Sequence, residues 1–162
     1  DKFDEDIIRF MRDEFKLVIG EPTAEEIKVA VGSVLPRGEK LEIAARGRDL
    51  TTGLPKEIIV KDNQIRLALQ RSIRSIIDAT KEVIENTPPE LVGDIYRNGI
   101  YLCGGGSLLR GIDELINKET SVAVKVVDDP LTCVLRGTGL VADNFDHYKG
   151  LLDILSGKTV NV

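Results

Sequence analysis

The chain has 162 residues, 42% of them hydrophobic, and a formal net charge of −5. That length and apolar content suffice for one ordinary domain or two small lobes with a real core. The charge is spread over mixed-sign segments, which argues against nucleic acid as a partner, and no apolar run approaches the roughly 18 to 20 residues of a membrane span.

Phe3, Ile7, Phe10, Met11 and Phe15 recur at helical spacing, and Gly20 with Pro22 is expected to stop that first helix. In "PTAEEIKVAVGSV", Thr23 and Glu26 have the form of a capping box, and Ala24, Ile27, Val31 and Val34 make the apolar stripe of a second helix. From Leu41 the period changes to two: Leu41, Ile43 and Ala45 alternate with Glu42, Ala44 and Arg46, and after "DLTTG" the run "LPKEIIVK" completes a β-hairpin. "DNQIRLALQRSIRSIIDATKEVIEN" is the longest helix, with Asp62 or Asn63 as its cap and Ile65, Leu69, Ile73, Ile76, Thr80 and Val83 along one face. Pro88 and Pro89 end it.

A short helix, "PELVGDIYRN", leads through Gly99 into the apolar strand "IYLC", three glycines and a helix from Ser107 to about Lys118. "VAVKVV" is a buried-looking strand, and Asp129 with Pro130 supplies the cap and first-turn proline of a helix from about Leu131 to Asp143. Strand, helix, strand, helix favours parallel pairing with a right-handed crossover. Two strands make a poor independent sheet, so partner strands outside this stretch are expected. The tail from Asp146 looks peripheral, and the charged start "DKFDED" has no signal-peptide character, so the expected setting is the cytoplasm.

"LCGGGSLL" lies where a strand end gives way to a helix start, where glycine lets the backbone approach a ligand. Free N–H groups there favour an anion or a ribose hydroxyl. The same glycines also suit a tight turn, and both readings stay open at this point. A dinucleotide fingerprint is excluded because its third small residue would fall at Leu109. "SGKT", from Ser156, resembles the end of a P-loop, but the required first glycine would fall at Leu152. Glu25 and Lys28, with Gly32, share a helix face distinct from the apolar stripe; they make either a surface ion pair or a grip on a ligand. Asp1, Asp4, Glu5 and Asp6 read as favourable charge at a helix N-terminus. Cys103 and Cys133 form no CxxC pattern, and His147 alone cannot complete a metal set, so both thiols read as small buried hydrophobes.

Taken as an ordered set, "TAEEIKVAVGSV", "ARGRDLTTGLPKEI", "TPPELVGDIYRNGIYLCGGGSLLRGIDELI" and "DDPLTCVLRGTG" closely resemble the second half of the MreB/Mbl family of bacterial actin-like proteins, over residues 1 to about 144. The resemblance implies an α/β fold, the C-terminal half of an actin-like ATPase. Residues 1–61 would form a small outer α+β lobe, 62–145 a nucleotide-facing α/β lobe with an incomplete sheet, and 146–162 a peripheral tail. It implies ATP or ADP as cofactor, with magnesium held mainly by the other half. Gly104, Gly105, Gly106 and Ser107 match the family's adenosine loop, and Glu25, Glu26, Ile27 and Lys28 its other nucleotide-binding segment.

The implied partners are further copies in a homopolymer filament and the cell-shape and wall-synthesis proteins of the inner membrane. Membrane contact would come only through the other half, so the parent would be cytoplasmic and membrane-associated as filaments. The family's two phosphate loops and acidic magnesium residues precede Asp1 in its order. The parent would be a slow ATPase, whereas this chain is not expected to hydrolyse ATP alone. The competing readings are another actin-fold ATPase, of chaperone or sugar-kinase type, and a nucleotide-free interaction fragment.

Overall fold

Phe3, Ile7 and Met11 stand four apart and are all buried, so helix α1 (Lys2–Phe15) turns one continuous apolar face inward. Asp1 caps it, its carboxylate accepting from the Asp4 N–H at 3.0 Å. The structure, a computed structural model, describes residues 1–38 and 40–155. The helix does not run on to Gly20: Lys16 takes a left-handed conformation with φ 54° and turns the chain into the short strand β1 (Leu17–Val18). Gly20 and Pro22 instead begin α2 (Glu21–Val31), with Gly20 at the N-cap and proline in the first turn. The Thr23–Glu26 capping box therefore does not form, because the helix already starts ahead of Thr23. Ala24, Ile27 and Val31 are its buried residues, as their spacing predicts, and Val34 packs half-buried beside them.

The hairpin is present as β2 (Glu42–Asp49) and β3 (Pro55–Lys61), antiparallel with Ala45 opposite Ile58. β1 pairs antiparallel on the other side of β2, giving the order β1-β2-β3. Ala45 and Val60 face the helices and are almost wholly buried.

Helix α3 (Asp62–Glu85) follows β3 directly, and its cap is Lys61, whose N–H donates to Gln64 Oε1 at 2.9 Å. Asp62 is engaged otherwise, accepting from Arg66 at 2.5 Å one turn on. Ile65, Leu69, Ser72, Ile73 and Ile77 are buried, whereas the expected Ile76 and Val83 are 39% and 66% exposed. Ile65, Leu69, Ile73 and Ile77 keep to steps of four along α1, and beside them the Ser72 hydroxyl donates to buried Asp6.

α4 (Pro89–Asn98) leads to β4 (Ile100–Leu102), a single 3-10 turn (Gly105–Leu108), α5 (Ile112–Thr120), β5 (Val124–Val126), α6 (Cys133–Asp143) and α7 (Phe145–Leu155). β4 and β5 pair in parallel, Ile100 opposite Val124, as the strand-helix-strand order requires. β5 is not the buried strand its composition suggested, since Lys125 and Val126 are exposed. α6 starts at Cys133 with Thr132 as N-cap, while Asp129 sits at φ 48°, away from the extended conformation usual at an N-cap. The tail is helical as α7, and Ser156 to Thr159 lie outside the described residues. Cys103 is exposed and Cys133 half-buried, so neither is the core hydrophobe expected.

One cluster of buried residues joins α1, β1, α2, β2, β3, α3 and α5, so a single core runs across position 61. α4 and α6 add no buried residue to it. Among the described residues, no helix is long and apolar enough to cross a membrane.

Candidate functional site

On α2, Glu25, Lys28, Val29 and Gly32 recur at steps of three and four, facing away from the buried Ala24, Ile27 and Val31 stripe. This face looks across a cleft of about 300 Å³ at the glycine loop, with Phe3 and Leu131 also lining it. That is the small end of the range for small-molecule pockets.

The two walls are fastened to each other. Ser33 and Arg110 form a parallel bridge, and the Val34 N–H donates to the Arg110 carbonyl at 3.0 Å. The Arg110 guanidinium reaches back to the end of α2, donating to the carbonyls of Ala30 at 3.0 Å and Gly32 at 3.3 Å. Those carbonyls lie where a helix end carries unsatisfied acceptors and partial negative charge, so the cation is well placed. Gly32 allows the closeness: a Cβ there would collide with the Lys28 carbonyl and lie 2.9 Å from Leu109 Cδ1.

The bridge also explains the glycine loop. Gly104 lies at φ 80°, a region that favours glycine, and its N–H donates to the Pro130 carbonyl at 2.7 Å. The Ser107 hydroxyl donates to the Gly104 carbonyl at 2.7 Å and closes the 3-10 turn. A helix starting at Ser107 was expected, but Leu109 is extended so that Arg110 can pair with Ser33, and α5 begins only at Ile112. Gly105 and Gly106 line the cleft, with room for a Cβ only 3.4 Å from Leu131 and 3.6 Å from Phe3 respectively.

Lys28 does not pair with Glu25. Its ammonium lies 2.8 Å from Asp1 Oδ2 and 2.9 Å from Asp4 Oδ1, and the Lys28 and Asp4 side chains are only 16% and 10% exposed. Burial pushes the Asp4 carboxyl up, the Lys28 ammonium opposite it pulls it down, and the group lies below its ordinary value. Lys28 donates to Asp1 Oδ2 and faces Asp4 Oδ1 as an ion pair, which leaves donor capacity on its ammonium. Asp1, Asp4 and Glu5 stand at the N-terminus of α1 as the favourable charge expected there, while Asp1 and Asp4 also flank Lys28 and Asp6 is buried against Ser72.

Of the residues that the sequence nominated, Glu25, Lys28, Gly105 and Gly106 line the cleft. Gly104 and Ser107 shape the loop from behind, Ile27 is in the core at 1% exposure, and Glu26 is exposed outside the cleft. Arg110, Leu109 and Asp4 were not nominated. Arg110 closes the "GGGSLLR" run, but its partners lie 78 and 80 residues away.

The model of the MreB/Mbl protein family matches residues 1–150. The chain belongs to the MreB/Mbl family. It is 46% identical over 146 residues to the cell shape-determining protein Mbl of Bacillus subtilis, covering 90% of this chain and 44% of that protein. It is 44% identical over 150 residues to the cell shape-determining protein MreB of Escherichia coli K12, covering 93% and 43%. Among solved structures, MreB5 of Spiroplasma citri bound to AMPPNP superposes with a TM-score of 0.85 at 38% identity, over 92% of this chain and 45% of that one. The ADP-bound form of that MreB gives 0.84 at 40% identity, over 88% and 44%. A MamK double helical filament, at 20% identity and a TM-score of 0.65 over 80% of this chain and 39% of that one, shares the fold alone. The fold is thus actin-like, and the chain spans a little under half the length of the MreB and Mbl relatives it matches.

Proposed function

We propose that this chain forms the adenosine-facing wall of an ATP or ADP cleft in a filament-forming protein that determines bacterial cell shape. The observation that carries the reading is the fastening of α2 to the glycine loop, which holds Glu25 and Lys28 opposite Gly105 and Gly106 across one cleft. Its electrostatics favour the nucleoside over the phosphates. Asp1, Asp4 and Glu25 outnumber Lys28, and the Arg110 guanidinium is engaged by backbone carbonyls, so this end repels phosphate. Glu25 can accept from ribose hydroxyls, the remaining Lys28 donor can bond an oxygen, and the bare faces of Gly105 and Gly106 admit a flat base. The MreB5 structures with AMPPNP and ADP support the same ligand class.

In this reading residues 1–61 are the outer lobe and 62–145 the lobe beneath it. The phosphates and magnesium are held by groups outside this cleft, so the chain alone does not hydrolyse ATP. Filament assembly, work beside wall-synthesis proteins at the inner membrane and a cytoplasmic setting follow from family membership as part of the proposal. A second reading, a nucleotide-free docking fragment, is favoured by the exposed apolar side chains of α6.

Titration of the intact protein with ATP and ADP tests the choice. Gly105→Val should raise the dissociation constant at least about tenfold, a loss of about 1.4 kcal/mol, while the melting temperature changes little. Equal losses in binding and melting would refute the ligand role of the loop, and undiminished binding to filaments without nucleotide binding would establish the docking reading.

A further inference from the structure

The Pro130 carbonyl accepts from two groups, the Gly104 N–H at 2.7 Å and the Cys133 thiol at 3.4 Å. One oxygen atom therefore links the residue after Cys103 to the sulfur of Cys133 and brings the end of β4 to the start of α6. Leu131 continues the contact, lying 3.4 Å from where a Cβ on Gly105 would stand. Cys103 is exposed and Cys133 half-buried, and these are the two cysteines of the chain.

We propose that Cys103 and Cys133 form a thiol–disulfide exchange site, at which a low-molecular-weight disulfide such as oxidised glutathione converts the pair to an intramolecular disulfide pinning the glycine loop to the turn before α6. Exposure assigns the order. The Cys103 thiolate attacks one sulfur of the oxidant, forming a mixed disulfide and expelling the first small thiolate. The Cys133 thiolate then attacks Cys103 Sγ, closing the protein disulfide and expelling the second. Two protein thiols are oxidised, the small disulfide is reduced to two thiols, and the two protein protons pass to the leaving groups. The neighbouring Cys133 thiol pushes the Cys103 thiol up from its ordinary value, so thiolate is scarce at neutral pH and the first step speeds up as pH rises. The consequence is mechanical: the disulfide makes the Gly105 wall and the Leu131 wall of the cleft a single covalent unit. This chemistry stands apart from the nucleotide reading.

The test is treatment of the full chain with oxidised glutathione across a pH series, read by peptide mass spectrometry and amide hydrogen exchange. The expected product has lost two hydrogens, gained no glutathione, contains one Cys103–Cys133 linked peptide and reverts with dithiothreitol. Exchange at Gly105–Leu108 should slow at least about threefold on oxidation. Cys133→Ser should leave glutathione trapped on Cys103, whereas Cys103→Ser should react far more slowly. A wild-type chain that keeps glutathione on Cys103, forms only dimers between chains, or does not react at all would overturn the proposal. So would a linked product whose loop exchanges as fast as before.

Discussion

Met11 on α1 and Leu135 on α6 are both large apolar helix residues, yet the first is wholly buried and the second is 74% exposed. The contrast extends to their regions. α1, α2, α3 and the three-stranded sheet close on one another, with Ile7, Leu17, Val60 and Ile65 also fully excluded from solvent. In the C-terminal region, β4 and β5 stand as a two-stranded sheet, and Val134 and Leu140 join Leu135 in facing outward on α6. The first region buries the main apolar stripe of each of its helices, although Val29, Leu67 and Val83 stay exposed. The second presents apolar surface of the kind that marks an interface, in a chain spanning a little under half of its relatives' length.

Four substitutions sharpen or break that contrast in urea unfolding. Met11→Ala should have the largest effect, about 2–5 kcal/mol, because a fully buried side chain leaves a cavity. Gly32→Ala should cost about 1–3 kcal/mol, since the added methyl meets the Lys28 carbonyl and Leu109 where the regions join.

Lys28→Ala should act through pH. The native Asp4 carboxyl is held below its ordinary value, so its contribution is fully present above about pH 4 and is lost as pH falls through the lower native value. The stability difference between wild type and Lys28→Ala should shrink over that acid range. A difference unchanged from pH 6 to pH 2.5 would separate Asp4 from Lys28 energetically. Leu135→Ala should be the mildest, within about 0.5 kcal/mol. A loss comparable to Met11→Ala would show that α6 is packed in solution and would dissolve the contrast.

The packed region was largely legible in the sequence because its elements bury one face each, and one-sided burial leaves a period. Ala24, Ile27 and Val31 fall where spacing puts them, and the two-residue alternation from Leu41 marks the hairpin. β1 was not legible, since Leu17–Val18 is too short to show a period. Nor was the drift of α3 from Ile76 to Ile77, which its neighbours decide and its own pattern does not. The candidate site was half legible. Glu25 and Lys28 share a face by helix geometry alone, but the partner of Lys28 comes from another helix. The glycine run announced a turn or a ligand seat; the structure shows the turn, with Gly105 and Gly106 lining a cleft beside it. Arg110 was invisible because its value lies in carbonyls that only the folded chain brings near it.

The Ser33–Arg110 bridge limits how this cleft can work. Grasping a guest by swinging α2 toward the loop would have to tear the Val34 amide and the Arg110 guanidinium from their acceptors. As long as those hydrogen bonds stand, α2 and the loop are held as one rigid wall.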